Sequence, residues 1–377
     1  MAMATVMATV MAMETTMARP KIGPRIEKIL LIFLLIILVI ITIATTAFAV
    51  YWNKLDLLQH EEAMKDIADP ISLSKDVESK TLQQEQQGSD EPEQLLSDET
   101  VAQYQTVKQE VVAPKSEIKE DSGVLNVLII GTDESTERFT NNANSDCMII
   151  LSIDKAKDTI KLVSIERGTG VPISIGQYAG EYEWINNMVR VGGPGFLQRT
   201  VSEVFRIDLM GYIRVNPYTF IKIVEACGGI DVVLTQEEAD YINKALKDDS
   251  KLTKGKNHLD GKTAERYARL RAIDDDWSRI GRQRTVIQAA ITQAKDMPIL
   301  EINAMLDIVL PYVQTNLTKS QITELVFQVP SIAGKTAQQK TIPVEGTYSI
   351  MQNRYGKNMF SVDFETNAKE LQHFLYD

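Results

Sequence analysis

Two aspartates stand at the ends of neighbouring apolar runs. Asp133 follows VLNVLIIG, and Asp146 opens the next run in NSDCMII. Ligands of open α/β folds bind beyond the strand ends, so we expect both carboxylates at one edge of a sheet. Hard cations such as Mg²⁺ or Mn²⁺ take carboxylate oxygens and complete their shell with water and phosphate. The pair therefore predicts a metal site, although either aspartate alone is more typical of a turn or a cap.

Arginine is concentrated in one part of an otherwise acidic chain. Arg167 ends a third apolar run, in LVSIERG. A guanidinium binds phosphate oxygens through two donors and stays charged, so an arginine cluster facing two carboxylates predicts a pyrophosphate pocket. The alternative is a solvated helical surface in which Asp274 to Asp276 form salt bridges. The cluster occupies YARLR and SRIGRQR and consists of Arg266, Arg269, Arg271, Arg279, Arg282 and Arg284.

Two predicted helices carry this cluster. Their sequences, DGKTAERYARLRA and RIGRQRTVIQAAITQAK, have the apolar spacing of amphipathic helices. In the second helix Arg279 and Arg282 share one face, and Gln283 is adjacent. In the first, Arg269 and Arg271 lie about 200° apart unless the helix ends between them. Whether both arginines reach one site therefore depends on where the first helix ends.

Strands and helices alternate from VLNVLIIG onward. VLNVLIIG, CMIILSI and IKLVSI are β-type runs, apolar enough to be buried on both faces. Helical patterns follow in FLQRTVSEVF and in PYTFIKIVEACGG, where Pro217 suits a first turn and Gly228 a stop. This alternation predicts a single α/β domain over residues 123–377. Cys147 and Cys227 lie beside apolar residues, and we interpret them as core side chains.

A membrane anchor is predicted near the N-terminus. Residues 29–52 contain no charged side chain. At about 1.5 Å per residue they span roughly 36 Å, against about 30 Å for a hydrocarbon core. A cleaved signal peptide is the alternative, because Ala47-Phe48-Ala49 resembles a small-x-small cleavage site. Lys21, Arg25 and Lys28 precede the span, which predicts that residues 1–28 lie in the cytoplasm and that the chain beyond the span lies outside it.

The exported part begins with a polar segment. Residues 53–122 are rich in Glu, Gln, Asp, Ser and Lys and poor in large apolar side chains, which predicts an acidic, disordered and flexible stalk. The whole chain has a formal net charge of -11. Because affinity for nucleic acid comes mainly from clustered Lys and Arg, this balance argues against nucleic-acid binding.

Six sequence blocks occur in the order and spacing of a known family. They are NVLIIGTD, SDCMIILSIDKAKDTIKLVSIERGTGVPI, INNMVRVGGPG, VNPYTFIKIVEACGGIDV, LDGKTAERYARLR and DWSRIGRQRTVI. From about Val124 to the mid-290s, and more weakly to the C-terminus, the chain resembles the LytR-CpsA-Psr family. The resemblance implies a three-layer α/β/α sandwich with a central mixed sheet and a hydrophobic cavity for a polyprenyl chain. It also implies the cell membrane of a Gram-positive bacterium, in agreement with the predicted anchor.

The resemblance implies a function as well. The family that the chain resembles consists of membrane-anchored phosphotransferases, so the chain is expected to move a glycopolymer, such as teichoic acid or capsular polysaccharide, from undecaprenyl pyrophosphate onto peptidoglycan. Position by position, Asp133 and Asp146 match the metal-binding carboxylates, for Mg²⁺ or Mn²⁺. The expected substrate-binding residues are the four arginines of the matched catalytic set, with Arg282 added from the same cluster. That catalytic set is Arg167, Arg269, Arg271, Asp276, Arg279 and Gln283.

Two positions depart from the family pattern. Asn144 stands where the family has the arginine of Arg-Ser-Asp, and Gly168 where it has the aspartate of Pro-Arg-Asp. One phosphate-facing arginine and one carboxylate are therefore missing. Glu166 partly replaces the carboxylate only if its side chain reaches the site. It points to the opposite side if the strand continues through it.

Three functions follow from these observations. The first is the phosphotransferase, which the retained aspartates and arginines favour. The second is a non-catalytic envelope protein that binds lipid-linked glycans and has a regulatory, attenuator role, which the substitutions at Asn144 and Gly168 favour. The third is hydrolysis of the lipid pyrophosphate at the same residues, with water as the nucleophile. The sequence does not identify the group that accepts the proton of the attacking hydroxyl.

Overall fold

The computed structural model divides the chain into two compact units, Met1–Asn53 and Lys54–Asp377. The described residues are 48–57, 59–60, 117–134, 138–174, 179–246, 252–295, 305, 307–332, 334–353 and 356–377. Most of the predicted span 29–52 and most of the predicted stalk lie outside them. None of the helices in the described ranges is both long enough and apolar enough to cross a bilayer.

A seven-stranded mixed sheet lies at the centre of the second unit. The described strands are β1 (Gln59–His60), β2 (Val124–Thr132), β3 (Ser145–Asp154), β4 (Thr159–Ile165), β5 (Gly170–Pro172), β6 (Tyr182–Trp184), β7 (Gly211–Val215), β8 (Ile230–Leu234), β9 (Gly255–Leu259), β10 (Gln314–Thr315), β11 (Gln338–Ile342), β12 (Tyr348–Gln352) and β13 (Asn358–Val362). The central sheet has the order β1-β10-β7-β2-β3-β4-β11. β3 is antiparallel to both β2 and β4, whereas β7 is parallel to β2 and β11 is parallel to β4.

Helices cover both faces of this sheet. Those with described bounds are α1 (Met188–Phe205), α2 (Pro217–Ala226), α3 (Gln236–Ala245), α4 (Gly261–Arg269), α5 (Asp276–Lys295), α6 (Lys319–Ile332) and α7 (Phe364–Tyr376). Leu128 of β2 packs in a core with α1 and α7, whereas Leu125 packs on the opposite face with α5 and α6. Because successive strand residues face opposite sides, a strand covered on both faces is apolar along most of its length, as VLNVLIIG is. The predicted α/β/α sandwich with a mixed sheet is confirmed.

A separate core holds the helices that carry the arginine cluster. Ile230 of β8 packs here with Ile242 of α3 and Tyr267 of α4. α2, which also belongs to this core, has Pro217 in its first turn, and the chain turns back at Gly228, whose φ is 76°. Both features agree with the sequence prediction. Because α5 contributes side chains to this core and to the central sheet, it joins the two.

Parts of the predicted stalk belong to the folded unit. Residues 59–60 form the edge strand β1, parallel to β10, and Leu55 is 1% exposed. At the other end of the segment, Lys119 forms a β-bridge with Ile207. Both ends of the predicted stalk therefore contact the folded unit.

Candidate functional site

The ends of three strands bring the predicted acidic and basic residues together. Asp133 follows β2 directly, Asp146 is the second residue of β3, and Arg167 lies two residues beyond the end of β4. β2, β3 and β4 are successive antiparallel strands. The end of β2, the start of β3 and the end of β4 therefore meet at one edge of the sheet.

Arg167 joins two carboxylates at this edge. Its Nη1 donates to Asp146 Oδ1 at 3.0 Å, and its Nε donates to Asp276 Oδ2 at 3.3 Å. Asp276 is the first residue of α5 and also accepts a hydrogen bond of 2.8 Å from Arg279 Nη2. Arg279 is 3% exposed, and its Nε has no hydrogen-bond partner among the described residues. Arg167 thus ties the start of α5 to the edge of the sheet, and Arg279 holds Asp276 from within the same helix.

Arg269 and Arg271 flank the same edge. α4 ends at Arg269, with Leu270 as its C-cap, so the two arginines are not held at helical spacing. Arg271 Nε lies 3.5 Å from Asp276 Oδ1, and Arg271 Nη2 lies 4.0 Å from Asp146 Oδ1. Arg269 Nη1 instead donates to Glu265 Oε1 at 2.7 Å, and 62% of its side chain is exposed. Arg271 therefore faces the carboxylates, whereas Arg269 extends into solvent.

Burial and neighbouring charges shape the electrostatics of the site. Burial raises the pKa of the Asp133 carboxyl above its usual range, and the charge of Asp146 acts in the same direction. Burial also lowers the pKa of the Arg279 guanidinium, and the positive charges of Arg271 and Arg167 add to that effect. An anion bound between these guanidinium groups would relieve their mutual repulsion.

The two aspartates have a donor set that fits a divalent cation. Asp133 accepts hydrogen bonds from Asn144 N at 2.9 Å and from Asn144 Nδ2 at 3.2 Å, which leaves each carboxylate oxygen a further lone pair. Asp146 Oδ2 accepts no hydrogen bond from the described residues. Within those residues no group of three or more His, Cys, Asp or Glu side chains is arranged to hold a metal ion. A carboxylate pair suits Mg²⁺ or Mn²⁺, which fill their other positions with water and substrate oxygens.

The sequence prediction missed Arg190. Its Nη1 donates to Asn144 Oδ1 at 3.2 Å and its Nη2 to Asn142 Oδ1 at 3.1 Å. Arg190 is 6% exposed, and its Nε has no hydrogen-bond partner in the described part of the chain. Burial lowers the pKa of its guanidinium, which the charge of Asp133 opposes. The signal in the sequence was a basic residue inside the otherwise uncharged block INNMVRVGGPG.

Glu166 turns toward the site. β4 ends at Ile165, so the alternation that would send the Glu166 side chain to the opposite side stops one residue earlier. The Glu166 Oε2 atom accepts a hydrogen bond from Gly168 N, and its carboxyl is in hydrogen-bonding contact with Asp276. Glu166 is 5% exposed. Burial, with repulsion from Asp276, raises its pKa to about 7. The condition for an orientation away from the site, a strand that continues through Glu166, is not met.

Arg282 and Gln283 occupy different surroundings. Arg282 is 5% exposed, and its Nε donates to Glu238 Oε1 at 2.7 Å and its Nη1 to Leu270 O at 2.8 Å. It also forms an ion pair with Asp274. These contacts give Arg282 a structural role instead of the predicted phosphate-binding one, because its donors are used inside the protein. Gln283 Nε2 lies 3.5 Å from Asp146 O, beside the site.

A groove of about 480 Å³ borders the site. Its lining consists of Tyr241, Ile242 and Ala245 of α3, Glu265, Arg266 and Arg269 of α4, and Leu270, Arg271 and Ala272 after α4. The groove therefore combines apolar side chains with three arginines and one glutamate, and it leads to the arginine that faces Asp146 and Asp276.

The family model LytR_cpsA_psr matches residues 80–373. The chain belongs to the LytR-CpsA-Psr family. The match begins ahead of Val124, so the family relationship takes in part of the predicted stalk.

Relatives of this LytR-CpsA-Psr protein include named transferases. An Oceanobacillus iheyensis protein named polyisoprenyl-teichoic acid–peptidoglycan teichoic acid transferase TagU is 32% identical over 236 residues, which are 61% of this chain and 70% of the relative. A Bacillus cereus protein of the same name is 30% identical over 204 residues, which are 53% of this chain and 63% of the relative.

Solved structures share the fold. TagV of B. subtilis has a TM-score of 0.54 at 23% identity, over 68% of this chain and 98% of that one. The structure of TagT bound to LIIa-WTA has a TM-score of 0.55 at 24% identity, over 71% of this chain and 97% of that one. At this identity the similarity establishes the fold of the LytR-CpsA-Psr protein and nothing more.

Proposed function

We propose that this LytR-CpsA-Psr protein is a phosphotransferase that attaches a glycopolymer of the teichoic acid or capsular polysaccharide type to peptidoglycan, with undecaprenyl pyrophosphate as the carrier of the donor. The observation that carries the proposal is the arrangement of Arg167, Arg271 and Arg279 around Asp146 and Asp276. The names of the two transferase relatives support the reaction class.

Phosphoryl transfer depends mainly on positioning and on neutralisation of charge. In the proposed reaction, a hydroxyl oxygen of peptidoglycan attacks the phosphorus that bears the glycan, the bond to the lipid phosphate breaks, and the hydroxyl loses its proton. Arg271 and Arg279 would bind phosphate oxygens, while Arg167 fixes the two aspartates that border them. Asp133 and Asp146 would hold Mg²⁺ or Mn²⁺, which when bound neutralises phosphate charge as a Lewis acid.

The membrane completes this proposal. Residues 29–52 would anchor the protein in the cell membrane, with residues 1–28 in the cytoplasm and the folded domain outside. A donor whose lipid stays in the bilayer would then lie on the same side as the domain and the peptidoglycan acceptor.

Binding without catalysis is the second candidate function. Asn144 and Gly168 favour it, because each stands where the family pattern has a charged residue. The protein would then hold a lipid-linked glycan and act in regulation. Hydrolysis of the lipid pyrophosphate by water would use the same site and is distinguished by its products.

The test is a transfer assay with the full chain in detergent, a lipid-pyrophosphate-linked glycan, Mg²⁺ and peptidoglycan. The expected products are undecaprenyl phosphate and a phosphodiester-linked glycan, both lost in Asp146→Ala and in Arg271→Ala. Arg199→Ala, which removes an exposed arginine of α1, is the matched control and should keep the rate. Lipid phosphate without linked glycan would indicate hydrolysis, and donor binding without either product would indicate the binding protein.

A further inference from the structure

We propose that Glu166 and Asp276 form a carboxyl pair that binds one shared proton and that, when ionised, accepts this proton from the attacking hydroxyl. The proposal rests on the proposed transferase function and assigns it a proton acceptor. Its basis is the position of Glu166, the space that its carboxyl fills, and the charges around it.

The two carboxyls come from different elements. Glu166 follows the end of β4, and Asp276 opens α5. Glu166 is 5% exposed, whereas the Asp276 side chain is 24% exposed. Asp276 therefore faces the open side of the site and Glu166 lies behind it. When one of the two carboxyl groups is protonated, their contact is a hydrogen bond in which they share that proton, because two carboxylates have acceptors only.

The Glu166 carboxyl fills the space beside Gly168. A Cβ built on Gly168 would lie 3.0 Å from Glu166 Oε2 and 3.6 Å from the ring of Phe360. The carboxyl is fixed there by the hydrogen bond that Gly168 N donates to the Oε2 atom of Glu166. The glycine thus makes room for a carboxyl that arrives from two residues earlier.

The two carboxyls of the pair have different charged neighbours. Asp276 is paired with Arg167, Arg271 and Arg279, which hold its carboxylate at the open side of the site. Glu166 forms no ion pair within 4.0 Å among the described residues. Asp276 and Arg167 are the charged groups that act on it, from α5 and from the next residue along the chain. From the neighbouring strands, Ile342 O of β11 accepts a hydrogen bond from Glu166 N, and the Phe360 ring of β13 lies beside Gly168.

The proton transfer balances within the proposed reaction. When both carboxyls are ionised, the hydroxyl proton moves to the pair through Asp276 as the new O–P bond forms. The electron pair of the broken bond leaves with the lipid phosphate. The pair returns its proton to that phosphate or to water before the next cycle. A proton acceptor that titrates near neutral pH suits this role.

The shared proton can be tested without any assay of transfer. We expect the full chain, labelled with ¹³C at the Glu and Asp carboxyls, to show one Glu carboxyl that is protonated at pH 6 and titrates near pH 7. That signal should be absent from the spectrum of Glu166→Gln. The control is Glu183→Gln, which removes another carboxyl of the domain and should leave the signal in place. A Glu166 carboxyl already ionised at pH 6 would overturn the proposal.

The catalytic part is tested by the pH profile of transfer. In the unaltered chain we expect the rate to rise with pH through about 7, as the pair loses its proton. Glu166→Gln should lower the rate by about 10²-fold or more and abolish the rise, while donor affinity stays close to that of the unaltered chain. A Glu166→Gln variant with an unchanged rate and profile would overturn the proposal, and so would a loss of donor binding equal to the loss of rate.

Relocating the carboxyl gives a rescue test. Glu166→Ala with Gly168→Asp puts a carboxyl back into the same space from position 168, and Glu166→Ala with Gly168→Asn is its uncharged control. We expect the variant with Gly168→Asp to catalyse transfer at least about tenfold faster than the variant with Gly168→Asn. Equal rates in the two variants would contradict the assignment. Absence of transfer in the unaltered chain would overturn the proposed function, while the carboxyl titration would still decide whether the proton is shared.

Discussion

Arg190 Nη1 donates to Asn144 Oδ1 at 3.2 Å, and the Nδ2 atom of the same asparagine donates to Asp133 Oδ2 at 3.2 Å. A buried guanidinium from α1 therefore supports, through one amide, a carboxylate of the candidate site. The family pattern has an arginine at position 144 itself. In this chain the positive charge comes from Arg190 of α1, and the Asn144 side chain lies between it and Asp133.

Replacing Arg190 should weaken donor binding. We expect Arg190→Met to raise the dissociation constant of a polyprenyl pyrophosphate glycan about tenfold, in the range of a lost hydrogen bond to a charged group. Adding Asn144→Arg should restore most of the affinity, because it returns the charge to the edge of the sheet. Asn142→Arg in the same background is the control. Equal rescue by both arginines, or no loss in Arg190→Met, would contradict the prediction.

Arg279 should be required for transfer, and a lysine at the same position should not replace it. Its Nη2 holds Asp276 while its Nε is left unpaired by the described residues, a two-sided geometry that an ammonium lacks. We expect Arg279→Lys to lower the rate of transfer by about 10²- to 10³-fold, as for the loss of one preorganised donor. Arg199→Lys on α1 should leave the rate unchanged. The measurement is the initial rate at saturating donor.

Arg282 should matter for stability. Its guanidinium is buried against Glu238, Asp274 and Leu270 O, so Arg282→Met leaves two carboxylates without their partner. We expect a loss of about 3 to 5 kcal/mol, typical of a broken buried ion pair. Arg269→Met, at an exposed side chain, should change stability by less than about 0.5 kcal/mol. Urea unfolding followed by fluorescence measures both. Full stability with weakened donor binding in Arg282→Met would instead support the phosphate-binding role.

Glu166 should make stability depend on pH. Its folded pKa is about 7 against an ordinary value of 4.5, so between these values the folded chain keeps a proton that the unfolded chain has lost. The contribution of Glu166 to stability is therefore present below about pH 4.5 and is lost as the pH rises toward 7. Glu166→Gln should remove this slope and gain stability over the unaltered chain on the order of 3 kcal/mol above pH 7, at 1.36 kcal/mol per pKa unit. Melting temperatures of both proteins between pH 5 and pH 8 test the sign.

The sequence predicted the parts of the fold that depend on periodicity. VLNVLIIG and CMIILSI are apolar along most of their length because both faces of the sheet are covered, so their sequences alone identify them as buried strands. The shared edge of Asp133 and Asp146 followed from the positions at which those runs end. Pro217 and Gly228 marked the limits of α2 for equally local reasons.

Other features depend on tertiary contacts, which the periodicity of the sequence does not predict. Arg279 and Arg282 share a helix face in the sequence, yet one meets Asp276 and the other Glu238 and Asp274, because two different cores lie against α5. The direction of Glu166 depended on β4 ending at Ile165, a one-residue difference that reverses a side chain. Arg190 reaches the site only through the packing of α1 on the sheet.

The attachment of residues 59–60 and of Lys119 to the same unit changes the mechanics of the N-terminal half. A pull on residue 54 is transmitted to β1, next to β10 at the edge of the central sheet. A force applied to the domain from its N-terminal side therefore loads an edge strand first, while the strands that carry Asp133, Asp146 and Arg167 lie further inside the sheet.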